Sequence, residues 1–368
     1  MSSLQPTSQI NVSSELDSCL SATDSEASSP ILDNTTAIAL QHANEHNLHN
    51  KGSDRQEEGQ AEKDNSFARD LKPGAIKRAV FVGIAYKGTE QALQGCINDQ
   101  ERLYEFIKRL APDCETRVLC DDEPAAMSVD GPPTRANILD AIRWLREGQQ
   151  LWCSYSGHGS WQTDRSARSD EADNRDETIV PVDYQTAGQI VDDELRRELV
   201  DRLVDGARLT AVFDCCHSGT VLDLHCTFLD DSKYIGAKSV RRIREYVPSQ
   251  WRRRLIYERH EGAKPTQNSD VCMWSGCRDT QTSADAQISG KYAGAMTHAF
   301  LHFADNTQPG HAMRANYAAD PVHSPANLLQ DMNGWLNVSK YDQRPQLSFG
   351  RPVNIDEPWE IFVEKKTE

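Results

Sequence analysis

Hydrophobic positions divide the chain into two textures. Over residues 1 to about 70, apolar side chains stand isolated among Ser, Asn, Gln, Asp and Glu, and no Phe, Trp or Tyr precedes Phe67. From Lys77 onwards, apolar runs alternate with helical stripes. Arg78–Tyr86 (RAVFVGIAY) is a nearly continuous apolar run, the pattern of a strand covered on both faces. Ile97–Leu110 has helical spacing, and Arg117–Asp121 reads as a short strand. Thr134–Glu147 follows Pro132 and Pro133, opens on a capping Thr and places Ile138, Ile142 and Leu145 on one stripe, which predicts a helix. Gln150–Tyr155 predicts a strand that runs into Ser156-Gly157-His158-Gly159. Asp192–Val204 predicts an amphipathic helix whose acidic first turn suits the helix dipole. Arg208–Phe213 is a further buried strand, leading into Asp214-Cys215-Cys216-His217-Ser218-Gly219.

Residues 227–268 lose this rhythm and are rich in arginine (Arg241, Arg242, Arg244, Arg252, Arg253, Arg254), which predicts a linker or excursion with some helix. Regularity resumes with a strand at Asp270–Ser275, a helix at Gly294–Phe303, a helix around Pro325–Leu336 and a strand around Pro345–Phe349. The alternation predicts an α/β fold with a mostly parallel central sheet and helices on both faces. The expected organisation is a tail over 1–70, a large region over 71–226, the Arg-rich linker over 227–268, and a small region of the same domain over 269–368.

Composition changes this picture mainly at the start of the chain. The formal net charge is -16, and residues 1–70 supply half of it through 12 acidic and 4 basic side chains. So polar a segment buries too little apolar surface to offset its ordering entropy, and it reads as disordered. Two roles fit it: a solubilising arm, or a regulatory pro-segment removed after Arg55, Lys63, Arg69 or Lys72. An acidic surface disfavours nucleic acid as a partner and attracts basic segments. The 10 cysteines show neither a dense disulfide framework nor zinc spacing, so a reducing, cytoplasmic setting is expected. The opening MSSLQPTSQI lacks the basic start and apolar stretch of a secretory signal, and the longest apolar runs are of strand length, so no membrane span is expected.

Two strand ends carry candidate chemistry. In each, an apolar strand stops at a Gly-containing turn that holds a reactive side chain: His158 in one, Cys215-Cys216 in the other. Open parallel sheets bind ligands beyond the carboxyl ends of their strands. If the two strands are neighbours, a thiolate nucleophile and a proton-transferring imidazole meet at one edge. Gly159 beside the histidine admits a substrate backbone, and the amides of Gly159 and Cys216 are placed to stabilise an oxyanion. Strand alternation turns Cys215 and Cys216 to opposite sides, and the sequence leaves open which of them faces His158.

These motifs, Tyr155-Ser156-Gly157-His158-Gly159 and Asp214-Cys215-Cys216-His217-Ser218-Gly219-Thr220, resemble the two catalytic motifs of metacaspases. Further similarities lie at Gly95-Cys96-Ile97-Asn98-Asp99, Pro133-Thr134-Arg135-Ala136-Asn137, Asp176-Glu177-Thr178, Pro181-Val182-Asp183, Ile190-Val191-Asp192-Asp193-Glu194, Trp274-Ser275-Gly276-Cys277 and Gln281-Thr282-Ser283-Ala284-Asp285-Ala286. The resemblance spans about residues 75–350, and its large-then-small order is similar to type I metacaspases. It implies a caspase-like αβα sandwich and peptide-bond hydrolysis through a thioester, with Cys216 as nucleophile and His158 as its partner. It also implies cleavage after Arg or Lys, with Asp99 and Asp214 forming an acidic primary pocket beside Cys96 and Ser156. A calcium site would fall on Asp176, Asp192, Asp193 and Asp223, whose hard oxygens suit that ion. Protein substrates with Arg or Lys at the cut bond and a monomeric state complete the implied picture.

The segment Asp164–Asp193 is dense in acidic residues, and composition alone reads it as a solvated acidic loop. Under the resemblance, the Arg-rich stretch becomes a candidate for self-cleavage between Lys233 and Lys264. Leu224-His225-Cys226 follows Asp223 where relatives commonly carry Pro, which loosens the loop behind the nucleophile. Two other function classes stay open on sequence: a non-proteolytic scaffold that keeps the fold, and a caspase-like hydrolase of different primary specificity.

Overall fold

The computed structural model describes residues 75–163, 175–216, 218–230, 255–260, 263–276, 285–288, 291–304, 324–341, 343–355 and 359–362. The acidic tail over 1–70, residues 164–174, the arginines from Arg241 to Arg254, and the motif residues Cys277 to Ala284 lie outside the described residues.

The elements in chain order are β1 (Lys77–Gly83), α1 (Cys96–Leu110), β2 (Glu115–Cys120), α2 (Arg135–Leu145), β3 (Gln150–Ser156), β4 (Gly159–Thr163), β5 (Arg175–Ile179), the single turn α3 (Tyr184–Ala187), β6 (Ile190–Val191) and α4 (Asp192–Leu195). They continue with β7 (Arg208–Asp214), β8 (Cys226–Asp230), β9 (Leu255–Arg259), β10 (Asp270–Ser275), β11 (Asp285–Ile288), β12 (Lys291–Gly294), α5 (Ala295–Ala304), α6 (Pro325–Val338) and β13 (Gln346–Phe349). Eight strands form one sheet in the order β2-β1-β3-β7-β10-β13-β8-β9. The first five run parallel, and β13, β8 and β9 join antiparallel. A small sheet β4-β5-β6 and a hairpin β11-β12 stand beside it.

Both faces of the sheet are covered, which is why β1 reads as a continuous apolar run. Ala79 and Phe81 pack with Leu103, Phe106, Ile107, Phe300 and Leu329 of α1, α5 and α6. Val80 and Val82 pack on the other side with Ile138, Ile142, Leu145, Leu195 and Leu199. The result is the expected αβα sandwich. Thr134 caps α2 by accepting the amide of Asn137, as its position predicts.

The structure corrects the sequence reading at one helix and at the expected linker. The helix expected over Asp192–Val204 is α-helical only to Leu195 and continues as a π-turn over Arg196–Val200. The amide of Asp201 reaches back to the Arg196 carbonyl at 3.0 Å. The widened turn lets the Arg196 guanidinium bind the Asp201 carboxylate and the carbonyls of Asp223 and Lys264. The expected linker over 227–268 is not wholly a linker. Cys226–Asp230 and Leu255–Arg259 are paired strands of the main sheet, with Phe228 and Tyr257 buried in register. Five-residue strands next to an arginine cluster give too short an alternation to show in the sequence.

Candidate active site

β3 and β7 are hydrogen-bonded neighbours in parallel register, with Ser156 opposite Asp214. Their carboxyl ends therefore bring the two Gly-containing turns together. Gly159 marks the contact. A Cβ on it would drive into the Cys216 carbonyl oxygen and lie 2.9 Å from the Cys216 carbonyl carbon and 3.3 Å from Cys215 Sγ. Only glycine lets β4 approach the turn after β7 this closely, and His158 is held one residue away from that contact.

The two cysteines just beyond β7 differ in burial. Cys215 is wholly buried in the core on the α2 side. Its burial and the charges of Cys216 and Asp214 hold the thiol well above its ordinary range. Cys216 is half-buried, and it is the single cysteine among the described residues that is not buried.

His158 is oriented from several sides. Its Nε2 lies 2.8 Å from the Gln91 carbonyl oxygen. A carbonyl only accepts, so Nε2 carries the hydrogen in this contact. The ring lies 4.7 Å from that of Tyr86. The Val180 amide donates to the His158 carbonyl at 3.2 Å. In an antiparallel pair the hydrogen-bonded positions alternate, so the next residue, Gly159, turns its own N–H away from β5.

The acidic pair predicted from the resemblance converges. Asp99, in the first turn of α1, and Asp214, the last residue of β7, are both almost fully buried on the α1–α5 side of the sheet. A Cβ on Gly294 would fall within contact of Asp214 Oδ2, 2.8 Å from Asp99 Oδ2 and 2.9 Å from Asp214 Cγ. Asp99 Oδ2 accepts the Gly294 amide at 2.8 Å. Asp214 Oδ2 accepts the amide and the hydroxyl of Thr297 at 2.9 and 2.8 Å, and its Oδ1 accepts Gln343 Nε2 at 3.2 Å. Asp214 therefore also caps the start of α5, so its local structural role is real alongside any role in binding. The donors from Thr297 and Gln343 are neutral, and two buried carboxylates side by side favour a cation between them. Cys96 lies three residues before Asp99 on α1, and Ser156 stands opposite Asp214 in the sheet. The Ser156 hydroxyl accepts Gln100 Nε2 at 2.8 Å, one turn past Cys96 on α1, and Gln100 Oε1 accepts the Ser154 hydroxyl at 2.6 Å. Gln91, Gly294, Thr297 and Gln343 were not marked by the sequence, because nothing local distinguishes them.

The four aspartates expected for calcium are only partly assembled. Asp192 is buried and accepts the amides of Glu177 and Asp193, both at 2.7 Å. Burial pushes its carboxyl up to about 7, the neighbouring Asp176 adds to that, and the two amides oppose it. Asp223 has a positive φ of 44°, and its carbonyl accepts from Arg196. The donors are hard oxygens of the kind calcium takes. Among the described residues, however, no group of three or more His, Cys, Asp or Glu is arranged to hold a metal ion. The chemistry of the set fits and its geometry is not preassembled. Glu177 links this region to the segment after β7 that carries Cys216, since its carboxylate accepts the Thr220 hydroxyl at 2.8 Å. No helix among the described residues is long and apolar enough to cross a membrane.

The chain is similar to known proteins in sequence and fold. The family described as "Metacaspase, peptidase C14 domain" matches residues 77–225. A curated protein named Metacaspase-1 from Ajellomyces capsulatus is 36% identical over 309 residues, which is 76% of this chain and 81% of that protein. Metacaspase-1 of Mycosarcoma maydis is 35% identical over 76% of this chain and 72% of its own length. A Geobacter sulfurreducens protein of known crystal structure shares the fold, with a TM-score of 0.50 at 20% identity over 78% of this chain and all of that one. This chain belongs to the metacaspase family as a type I member, and it is a caspase-like cysteine peptidase.

Proposed function

We propose that this protein is an endopeptidase that cuts after Arg or Lys through a Cys216–His158 dyad. The observation that carries the specificity is the convergence of the Asp99 and Asp214 carboxylates on Gly294, with Asp214 two residues of chain before Cys216. A substrate guanidinium entering there can pair with both carboxylates in the bidentate manner that favours Arg.

In this mechanism His158 Nδ1 takes the Cys216 proton, and the thiolate sulfur attacks the scissile carbonyl carbon. The oxygen becomes an oxyanion, stabilised by the amides of Gly159 and Cys216. As the C–N bond breaks, the imidazolium gives its proton to the leaving amine, and a thioester remains on Cys216. His158 then takes a proton from water, the hydroxide displaces the sulfur, and the thiolate is restored. The Gln91 carbonyl keeps the imidazole in the tautomer both transfers need.

Calcium is proposed as an activator that Asp176, Asp192, Asp193 and Asp223 would hold, drawing their carboxylates together and neutralising them. Support for it is the chemistry of those donors and the Glu177–Thr220 link to the segment after β7 that carries Cys216. Self-processing between Lys233 and Lys264, a monomeric state and a cytoplasmic setting belong to the same proposal. The test is cleavage of fluorogenic peptides ending in Arg, Lys, Asn or Asp, with and without calcium, by wild type, Cys216→Ala, His158→Ala and Asp99→Asn. Calcium-stimulated cleavage of the basic peptides, lost in all three variants, supports the whole reading. Equal cleavage of acidic peptides overturns the specificity, and activity in Cys216→Ala overturns the dyad.

A further inference from the structure

We infer that the phenols of Tyr86 and Tyr155 are positioning groups that set where His158 stands, an inference that rests on the proposed Cys216–His158 dyad. The hydrogen bonding of β4 and β5 shows how. One rung beyond Gly159–Ile179, the Val180 amide donates to the His158 carbonyl at 3.2 Å. An antiparallel pair would complete this rung with a bond from the His158 amide to the Val180 carbonyl. Instead the Tyr86 hydroxyl stands between them, accepting the His158 N–H at 3.0 Å and donating to the Val180 oxygen at 2.6 Å.

Tyr155 braces the other half of the same rung. Its hydroxyl donates to the His158 carbonyl at 2.7 Å and accepts the Val180 amide at 3.2 Å. The two hydroxyl oxygens are 3.3 Å apart. Both ends of the His158 residue are thus fastened by side chains that come from β3 and from the loop after β1. Burial holds both phenols well above their ordinary range, so they stay protonated and keep donating at any working pH.

The surroundings are shaped to keep this arrangement. Gly157 is small because a Cβ there would lie 2.7 Å from the Tyr155 hydroxyl oxygen and 3.1 Å from that of Tyr86. Tyr86 adopts a φ of 48°, a left-handed conformation that an aromatic residue rarely takes. The Asp121 carboxylate holds it there by accepting the amides of Ala85 and Tyr86 at 2.7 and 2.6 Å. The loop is closed by the Leu93 amide on the Ala85 carbonyl at 2.8 Å, and the same loop carries the Gln91 carbonyl that binds His158 Nε2. One loop therefore fixes the histidine through both its main chain and its ring. Without the Tyr86 hydroxyl, the His158 N–H and the Val180 carbonyl are left to close on each other, which draws His158 toward β5 and away from Cys216.

The test is Tyr86→Phe and Tyr155→Phe in the full-length protein, beside His158→Ala and Cys216→Ala. The readouts are kcat and KM on an Arg-ending fluorogenic peptide, and the pH profile of Cys216 alkylation by iodoacetamide. In Tyr86→Phe the ring contact with His158 remains, so the hydroxyl contacts are what is lost. A displaced catalytic group costs about 10–100-fold in kcat, with KM unchanged within about twofold and slower, pH-shifted alkylation. Folded Tyr86→Phe and Tyr155→Phe proteins with wild-type kcat and alkylation profile would overturn the inference, as would a fall in melting temperature with no change in kcat. If Tyr86→Phe does not fold, Tyr155→Phe decides by the same readouts. Activity in His158→Ala overturns the dyad itself, whereas a dead His158→Ala beside a wild-type-like Tyr86→Phe overturns the positioning role alone.

Discussion

A single methyl group at Gly294 tests whether the acidic convergence binds substrate. An alanine Cβ there would sit 2.8 Å from Asp99 Oδ2 and 2.9 Å from Asp214 Cγ, inside any relaxed carbon contact, and closer still to Asp214 Oδ2. Asp214 cannot swing aside freely, because Thr297 donates to it twice and Gln343 once. Overpacking of this kind costs about 1–3 kcal/mol of stability. The pocket loses more, because the methyl occupies the space in which a guanidinium would pair with both carboxylates. Loss of two charge-assisted contacts is worth about 3–4 kcal/mol, or about 10²–10³-fold in kcat/KM. Gly294→Ala should therefore cleave an Arg-ending peptide about 10²–10³-fold less well while still folding. Alkylation of Cys216 by iodoacetamide, which needs no pocket, should proceed at the wild-type rate. A folded Gly294→Ala protein that cleaves the peptide within threefold of wild type refutes the assignment of this pocket.

Three further outcomes follow from the packing. Cys215→Ala should keep peptide cleavage within about threefold and lose about 1 kcal/mol by urea titration, because Cys215 faces the core, whereas Cys216→Ala should be inactive. Arg351 donates two hydrogen bonds to buried Asp270, so Arg351→Met should lower stability by about 3 kcal/mol, and Asp270→Asn added to it should restore part of the loss. His298 is pushed down to about 4 by burial, with Arg102 and His302 adding to it. The unfolded chain takes up that proton first, so stability present above about pH 6.5 is lost as pH falls toward 4. Screening at a part-exposed ring limits the loss to about 1–2 kcal/mol. Urea midpoints at pH 5 and pH 8 should differ less in His298→Gln than in wild type.

Much of the fold was legible because its strands are covered on both faces and its helices carry clean stripes. Asp270–Ser275 was placed to the residue, and Thr134 was read correctly as a cap. The apolar run predicts a first strand to Tyr86, but the strand stops at Gly83, because apolarity continues through the following residues to Tyr86, which takes a positive φ. The strands at Cys226–Asp230 and Leu255–Arg259 were not seen, since each depends on a partner distant in sequence. At the site, the two strand-end motifs were evident from their glycines. The sequence leaves Cys215 and Cys216 undecided, and only the fold shows that Cys215 is buried in the core while Cys216 is half-buried. The meeting of Asp99 with Asp214 was available through family likeness alone, because the two lie on a helix and a strand with no local signal joining them.

The order of strands in the main sheet bears on what a cut would do. Strands β2, β1, β3, β7 and β8 come from chain before residue 231, and β9, β10 and β13 from chain after residue 254. Across the sheet these two sets are interleaved: β10 and β13 lie between β7 and β8, and β9 closes the edge beyond β8. A break anywhere between β8 and β9 would leave two polypeptides, each threaded through the other's hydrogen-bond ladder. Neither piece could leave without stripping strands from a shared core, so the nicked molecule would elute from a sizing column as one particle and separate only in denaturant.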